Sequence, residues 1–162
     1  MFVPSSAIGQ RIPVSDHLGD FNPATVHGLN QLILLPAGTG FTPMTKLTQL
    51  FLKSNPTTAA NGDADGSKPI HATMLFFNKT PGDIMWDNQL DRLASSNPAT
   101  FQVHHVLSQY PGWAGEKGRI LLQILEKLLP SKNDDIKRLA GICGPIPFAR
   151  EAKRYDEIIY VL

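Results

Sequence analysis

One stretch limits the possible folds more than any other. Leu32-Ile33-Leu34-Leu35 is followed at once by Pro36-Ala37-Gly38-Thr39-Gly40-Phe41-Thr42-Pro43-Met44. Four apolar residues in a row, without alternation, fit a short strand buried on both faces, as in the middle of a parallel sheet. Beyond the glycine turn, Met44, Leu47, Leu50 and Phe51 recur on one helical face, so a helix is expected to run to about Lys53. Thr42 reads as its N-cap and Pro43 as its first residue. A strand, a glycine turn and a helix start aim free N–H groups and a partial positive charge at one point, where an anion can sit. The stretch is either such a cradle or an ordinary tight connection. It is not a full dinucleotide fingerprint, because Pro43 stands at the third glycine position, and no Gly-Lys-Ser/Thr of a P-loop follows.

The same alternation continues down the chain. Strands are expected over Ile70 to Asn78, Phe101 to Leu107, Leu139 to Cys143 and Ile158 to Val161. Helices are expected from the Thr80-Pro81-Gly82-Asp83 capping box, with Trp86, Leu90 and Leu93 as the buried stripe, over Arg119 to Leu129 on Ile120, Leu121, Ile124, Leu125 and Leu128, and from about Pro147 to Tyr155. Residues 1–20 are irregular, with a possible strand at 10–14, and 55–69 reads as a mobile polar insertion. The order β-α-β-α-β-α-β-α-β implies an α/β, three-layer, Rossmann-like domain with a parallel sheet of about five strands and helices on both faces. Ligands of such sheets bind at the carboxyl ends of the strands. A second turn, Cys143-Gly144-Pro145, ends a strand in the same way and is expected to lie beside the first.

Composition narrows the partners. A chain of 162 residues with 15 basic and 14 acidic side chains has a formal charge of +1, which offers nothing to nucleic acid or an anionic membrane surface. No apolar run approaches the roughly 18 residues of a membrane span, and no secretory leader is read at the N-terminus. The lone Cys143 builds neither a disulfide nor a zinc site, and fits a reducing compartment. The five histidines lack a ligand spacing, so no metal is expected; His104 and His105 are adjacent and face opposite sides of a strand.

Four positions keep two readings each. Cys143 is a buried strand-end cysteine or a reactive one, although a phosphatase loop would need an arginine one residue before Arg150. Asp83 caps a helix or accepts hydrogen bonds from a ribose. Lys79 is solvated or meets a phosphate. Trp113 anchors its glycine-rich loop, 108–118, or forms a lid.

Taken together, Gly-Thr-Gly-Phe-Thr-Pro-Met at 38–44, Phe-Phe-Asn-Lys-Thr at 76–80, Asp83-Ile84 and Cys-Gly-Pro at 143–145 resemble the NAD(P)H-binding half of the ferredoxin–NADP reductase superfamily, and more narrowly cytochrome b5 reductase. The wording of Ala37 to Met44, Phe76 to Thr80 and Cys143 to Phe148 is similar to the reductase half of the cytochrome b5/b5-reductase fusion type. The resemblance covers roughly residues 19–155. It implies that Gly38, Thr39 and Gly40 line the pyrophosphate and nicotinamide region, with Thr42 and Pro43 setting the helix behind them. Asn78, Lys79 and Asp83 would flank the adenine ribose, Asp83 at a position associated with preference for NADH. Cys143, Gly144 and Pro145 would place the nicotinamide against a flavin, with Phe148 close behind, and Cys143 and Thr42 would belong to the catalytic centre as positioning groups. NAD(P)H and FAD are the implied cofactors. The implied partners are an FAD-binding domain, in cis or in trans, and a b5-type haem domain that takes the electrons.

The Arg-x-Tyr-Ser/Thr type motif of the family's flavin barrel is missing here. Residues 1–20 resemble only the barrel's last strand and the junction, leaving 21–162 as the NAD(P)H-binding domain. Activity is therefore expected only within a longer chain that carries an FAD domain; the other reading is a truncated, non-catalytic nucleotide-binding or interaction module. An intracellular site is expected, cytoplasmic or on the cytoplasmic face of the endoplasmic reticulum. The family's C-terminal aromatic has no clear equivalent unless Tyr160 supplies it.

Overall fold

In the computed structural model, which describes residues 29–54, 71–130 and 136–155, the apolar run forms strand β1 (Gln31–Pro36), buried throughout. Its side chains alternate between two cores. Leu32 and Leu34 meet Phe41, Met44, Phe51, Met74, Phe76 and Leu90 on one face. Ile33 and Leu35 meet Leu75, Phe77, Ile124, Leu125 and Ala152 on the other. This double burial explains why the strand is uniformly apolar rather than alternating.

Strands β2 (His71–Asn78), β3 (Phe101–Leu107) and β4 (Arg138–Cys143) complete a sheet of four described strands, ordered β3-β2-β1-β4. Every neighbouring pair is parallel. Helices α1 (Phe41–Ser54) and α2 (Asp87–Ser96) cover the first core. Helices α3 (Leu122–Leu128) and α4 (Ile146–Ala152) cover the second. The three-layer α/β architecture expected from the alternation is present. Its fifth strand, at 158–161, lies outside the described residues, as do the possible strand at 10–14, the rest of 1–20 and the 55–69 insertion.

From β1 the chain steps one way to β2 and β3, then crosses back to lay β4 on the far side of β1. The strand order reverses between β1 and β4, and a crevice opens there at the carboxyl ends. Gly141 lets α1 lie close over this pair: a Cβ on it would sit 3.1 Å from Met44 Sδ and 3.2 Å from Leu34 Cδ2. Among the described residues, no helix is long and apolar enough to cross a membrane.

Three helix starts differ from expectation. Thr42 does not cap α1, and Pro43 is not its first residue. Gly38–Gly40 already form a 3₁₀ turn, and Phe41 has helical angles (φ −61°, ψ −34°). Pro43 is tolerated as the third helical residue because N–H groups in the first turn have no intrahelical acceptor anyway. The Thr80–Asp83 box forms, but it closes only a 3₁₀ turn (Pro81–Asp83); Ile84 leaves the helical region (φ −74°, ψ 111°) so that it and Met85 can pack on the first core. Trp86 then takes a left-handed conformation (φ 58°, ψ 32°) before α2, and at 55% exposure it is no part of a buried stripe. Helix α3 begins at Leu122 rather than Arg119. Leu121 is extended (φ −139°, ψ 151°) and exposed while Ile120 is buried, a strand-like alternation that a helical period misreads.

Candidate functional site

The two glycine turns meet at the β1–β4 crevice. The last register pair is Pro36 with Cys143, and the Ala37 N–H extends the pairing by donating to the Cys143 carbonyl at 2.9 Å. Gly40 presses on the same peptide: a Cβ there would stand 2.1 Å from the Cys143 oxygen and 2.8 Å from the Gly144 nitrogen. A Cβ on Gly144 would reach Ala37 Cβ at 2.8 Å and Phe148 Cδ1 at 3.0 Å. Gly40 is thus a glycine because backbone meets backbone there, and Gly144 because the Ala37 methyl and the Phe148 ring leave no room for a side chain. Gly38 is different. Its φ is +54°, and a Cβ on it would meet nothing within 4 Å. The room for a ligand is at Gly38, not at Gly40, and Gly38 supplies the left-handed turn that only glycine takes without strain.

Thr39 is exposed at the rim and Thr42 points to solvent from the first turn of α1. Phe148 packs behind the second turn, its ring 5.2 Å from that of Phe77, and the Pro145 carbonyl accepts the Ala149 N–H at 3.0 Å. Cys143 is half-buried against the first core. Gly38, Thr39, Gly40, Thr42, Pro43, Cys143, Gly144, Pro145 and Phe148 therefore share one end of the sheet, as the sequence reading has them.

The next strand end brings Asn78, Lys79 and Asp83 to the same edge. Asn78 is the strongest sign of a ligand. Its side chain is buried, yet neither its amide oxygen nor its nitrogen has a hydrogen-bond partner. Such a group costs about 1–3 kcal/mol unless something binds it. Its backbone is satisfied, since the Ser108 N–H donates to the Asn78 carbonyl at 3.0 Å. Lys79 is exposed, and its carbonyl accepts the Gln109 N–H at 2.8 Å. Asp83 Oδ2 accepts from the Thr80 hydroxyl at 2.7 Å and the Thr80 N–H at 2.9 Å. The Thr80 hydroxyl, then its N–H, hold the Asp83 carboxyl below the usual aspartate pKa. The capping reading of Asp83 is realised. Its other oxygen has no donor among the described residues and is open to a ribose hydroxyl.

Trp113 is an anchor. Its Nε1–H donates to the His105 carbonyl at 3.2 Å, and a Cβ on Gly115 would sit 2.6 Å from Nε1. The loop is further tied by Lys117 Nζ to the Pro111 carbonyl at 2.7 Å and by Gly118 N–H to the Leu107 carbonyl at 2.9 Å.

Two features escaped the sequence reading. Ala37 carries the link between the turns, and nothing in its type announces this. Phe41 stacks on Phe76 at 4.8 Å and takes the edge of Trp86 at 5.9 Å; the available signal was an aromatic residue just beyond the Gly38–Gly40 turn and another just beyond the Thr80–Asp83 turn.

The donor set fits a dinucleotide: a glycine turn with open space, a helix start behind it, and an unpaired buried amide one strand away. The sequence profile of the oxidoreductase NAD-binding domain matches residues 34–154. The chain is similar to cytochrome b5 reductase 4 of Bos taurus, with 35% identity over 148 residues, 91% of this chain and 26% of that protein. Among solved structures it is similar to the CS-b5R domains of human Ncb5or in the NAD+ form, with 31% identity and a TM-score of 0.70 over 94% of this chain and 42% of that one. The cytochrome b5 reductase domain of Ulva prolifera nitrate reductase is also similar, with 26% identity and a TM-score of 0.65 over 80% of this chain and 46% of that one. The chain spans about a quarter of the length of the curated relatives it first matches, 26% in the Bos taurus protein.

Proposed function

The chain belongs to the oxidoreductase NAD-binding domain family, and we propose that it holds NAD(P)H for a cytochrome b5 reductase-type enzyme of the ferredoxin–NADP reductase superfamily. The observation that carries this reading is the abutment of the Gly38–Gly40 and Cys143–Pro145 turns at the sheet's switch point, with open space at Gly38. In this reading 21–162 is the dinucleotide-holding unit and 1–20 joins it to a flavin barrel.

Each residue has a binding task. Gly38 and Thr39 turn their backbone towards the pyrophosphate. Gly40, whose N–H is taken by the Ala37 carbonyl at 3.1 Å, holds the turn against the Cys143 peptide, and the first turn of α1, with Thr42 and Pro43, adds its dipole. Asn78 supplies a donor and an acceptor to the adenine ribose end, Asp83 accepts from a ribose hydroxyl and favours NADH, and Lys79 stands near enough to offset phosphate charge. Cys143, Gly144 and Pro145 form the wall at the nicotinamide end, and Phe148 backs it. Cys143 acts as a positioning residue, small and soft, rather than as a nucleophile. When bound, the dinucleotide supplies a hydride to a flavin held by another domain, in cis or in trans, from which electrons pass singly to a b5-type haem. The lone thiol suits a reducing compartment, the cytoplasm or the cytoplasmic face of the endoplasmic reticulum.

Calorimetric titration of the chain with NADH tests the reading. One saturable site is expected. Asn78→Leu removes the unpaired amide at similar shape, so it should weaken NADH at least tenfold while leaving the melting temperature unchanged or higher. No saturation at millimolar NADH, or an unchanged affinity in Asn78→Leu, would overturn it.

A further inference from the structure

Away from the crevice, at the β3 edge of the sheet, two carboxylates and an imidazole converge. Asp87 and Asp91 lie one helical turn apart at the start of α2, so their side chains share a face. His105 projects from β3 beneath them. One ligand atom from each of Asp87, Asp91 and His105 lies within 4.8 Å of the other two. The His105 side chain is only 10% exposed, and neither ring nitrogen has a hydrogen-bond partner. Its Nε2 lies 3.6 Å from Asp87 Oδ1, beyond hydrogen-bonding distance. A buried imidazole with both nitrogens unpaired, aimed at two carboxylates, is costly unless something binds between them.

We propose that Asp87, Asp91 and His105 hold a divalent first-row metal ion, zinc by preference, that ties α2 to β3. One imidazole nitrogen and two carboxylate oxygens suit Zn²⁺, with water completing the shell. Zinc binds such ligands at about 2.0–2.2 Å, so the set must contract. His105 is fixed by burial, while both carboxylates are exposed and free to swing inward. The ion enters from solvent past them. One strand, β2, lies between β3 and the β1–β4 pair, so the ion takes no part in hydride transfer. Its effect is mechanical, a cross-link between a helix and an edge strand. The residues missed notice in the sequence because the histidine is 14 positions beyond the second aspartate, on another element.

The full 162-residue chain, freed of metal with EDTA, is titrated with zinc chloride by calorimetry and with cobalt chloride by visible absorption. One site is expected, together with a rise in melting temperature that EDTA reverses. Asp87→Asn and Asp91→Asn alter exposed positions and should keep the fold, yet each should weaken zinc at least tenfold. Glu126→Gln, an exposed acid on α3, should leave zinc binding as it is. The cobalt spectrum should lack a thiolate charge-transfer band, which sets the site apart from Cys143. The proposal fails if zinc neither saturates nor raises the melting temperature, if both asparagine variants bind zinc as tightly as the parent, or if the cobalt spectrum shows thiolate.

Discussion

Gly38 and Gly40 are two residues apart and answer to different constraints. An added methyl at Gly38 has open space and suffers only the left-handed backbone, with φ +54°. Gly38→Ala should therefore cost about 1–2 kcal/mol. At Gly40 the methyl would lie 2.1 Å from the Cys143 carbonyl oxygen, which is held by the Ala37 N–H and cannot retreat freely. Gly40→Ala should cost about 3 kcal/mol or more and separate the two turns. Denaturant unfolding of both variants checks the difference; equal losses would contradict it. Asp83 gives a pH signature. Its folded pKa is lowered by Thr80, so the cap stabilises the charged form. That contribution is complete above the ordinary aspartate pKa, about 3.9, and is lost as pH falls through the lowered folded value. The melting-temperature advantage of the parent over Asp83→Asn should be present at neutral pH and vanish under strong acid. An advantage independent of pH would mean that the carboxylate is not the source.

Among the elements, the strands were the most legible. All four described strands were located to within a residue or so: β1 and β2 because burial on both faces leaves little choice of side-chain type, and the partly exposed β3 and β4 by the apolar residues at their buried positions. Helix starts were less legible because they depend on what lies underneath. The Thr42-Pro43 pair is a sound capping signal, but the Gly38–Gly40 turn already supplies the first helical turn. Thr80 and Asp83 do form their box, but Ile84 and Met85 are drawn into the core and end the turn. The 86–90–93 spacing looks helical only if α2 includes Trp86, which instead ends the preceding loop in a left-handed conformation. The two site turns could be read singly, since each has its own glycine punctuation. Their adjacency was legible too, from the strand-then-turn pattern they share; the closeness of that contact, Gly40 against the Cys143 peptide, became visible only with the strand order, which joins positions about a hundred residues apart. The 108–118 loop is tied at several points, and the Trp113 indole is the one that packs inside it. Trp113→Phe keeps the ring and removes the bond to the His105 carbonyl. It should cost about 1 kcal/mol and speed proteolytic cleavage within 108–118; an unchanged cleavage rate would show that the loop is held by other means.

At the scale of the whole molecule, one sheet separates two cores, and the proposed nucleotide crevice lies at the carboxyl ends of β1 and β4. Binding there draws on both layers, because β1 sends Leu34 to one core and Leu35 to the other. NADH at a hundred times its dissociation constant should therefore raise the stability of the described domain by about 2.7 kcal/mol. Thermal unfolding with and without NADH measures this, and the gain should shrink in Asn78→Leu. The pairing of β1 with β4 has a further consequence during synthesis. Gln31 and Arg138 are 107 positions apart, yet the Arg138 Nε–H donates to Gln31 Oε1 at 2.6 Å. Until the ribosome has released β4, β1 stands as an open edge, and it is the most uniformly apolar of the four described strands. A nascent chain at that stage exposes its stickiest backbone and has no nucleotide site with which a ligand could rescue it. The crevice comes into being only when β4 pairs with β1, and that pairing removes the edge.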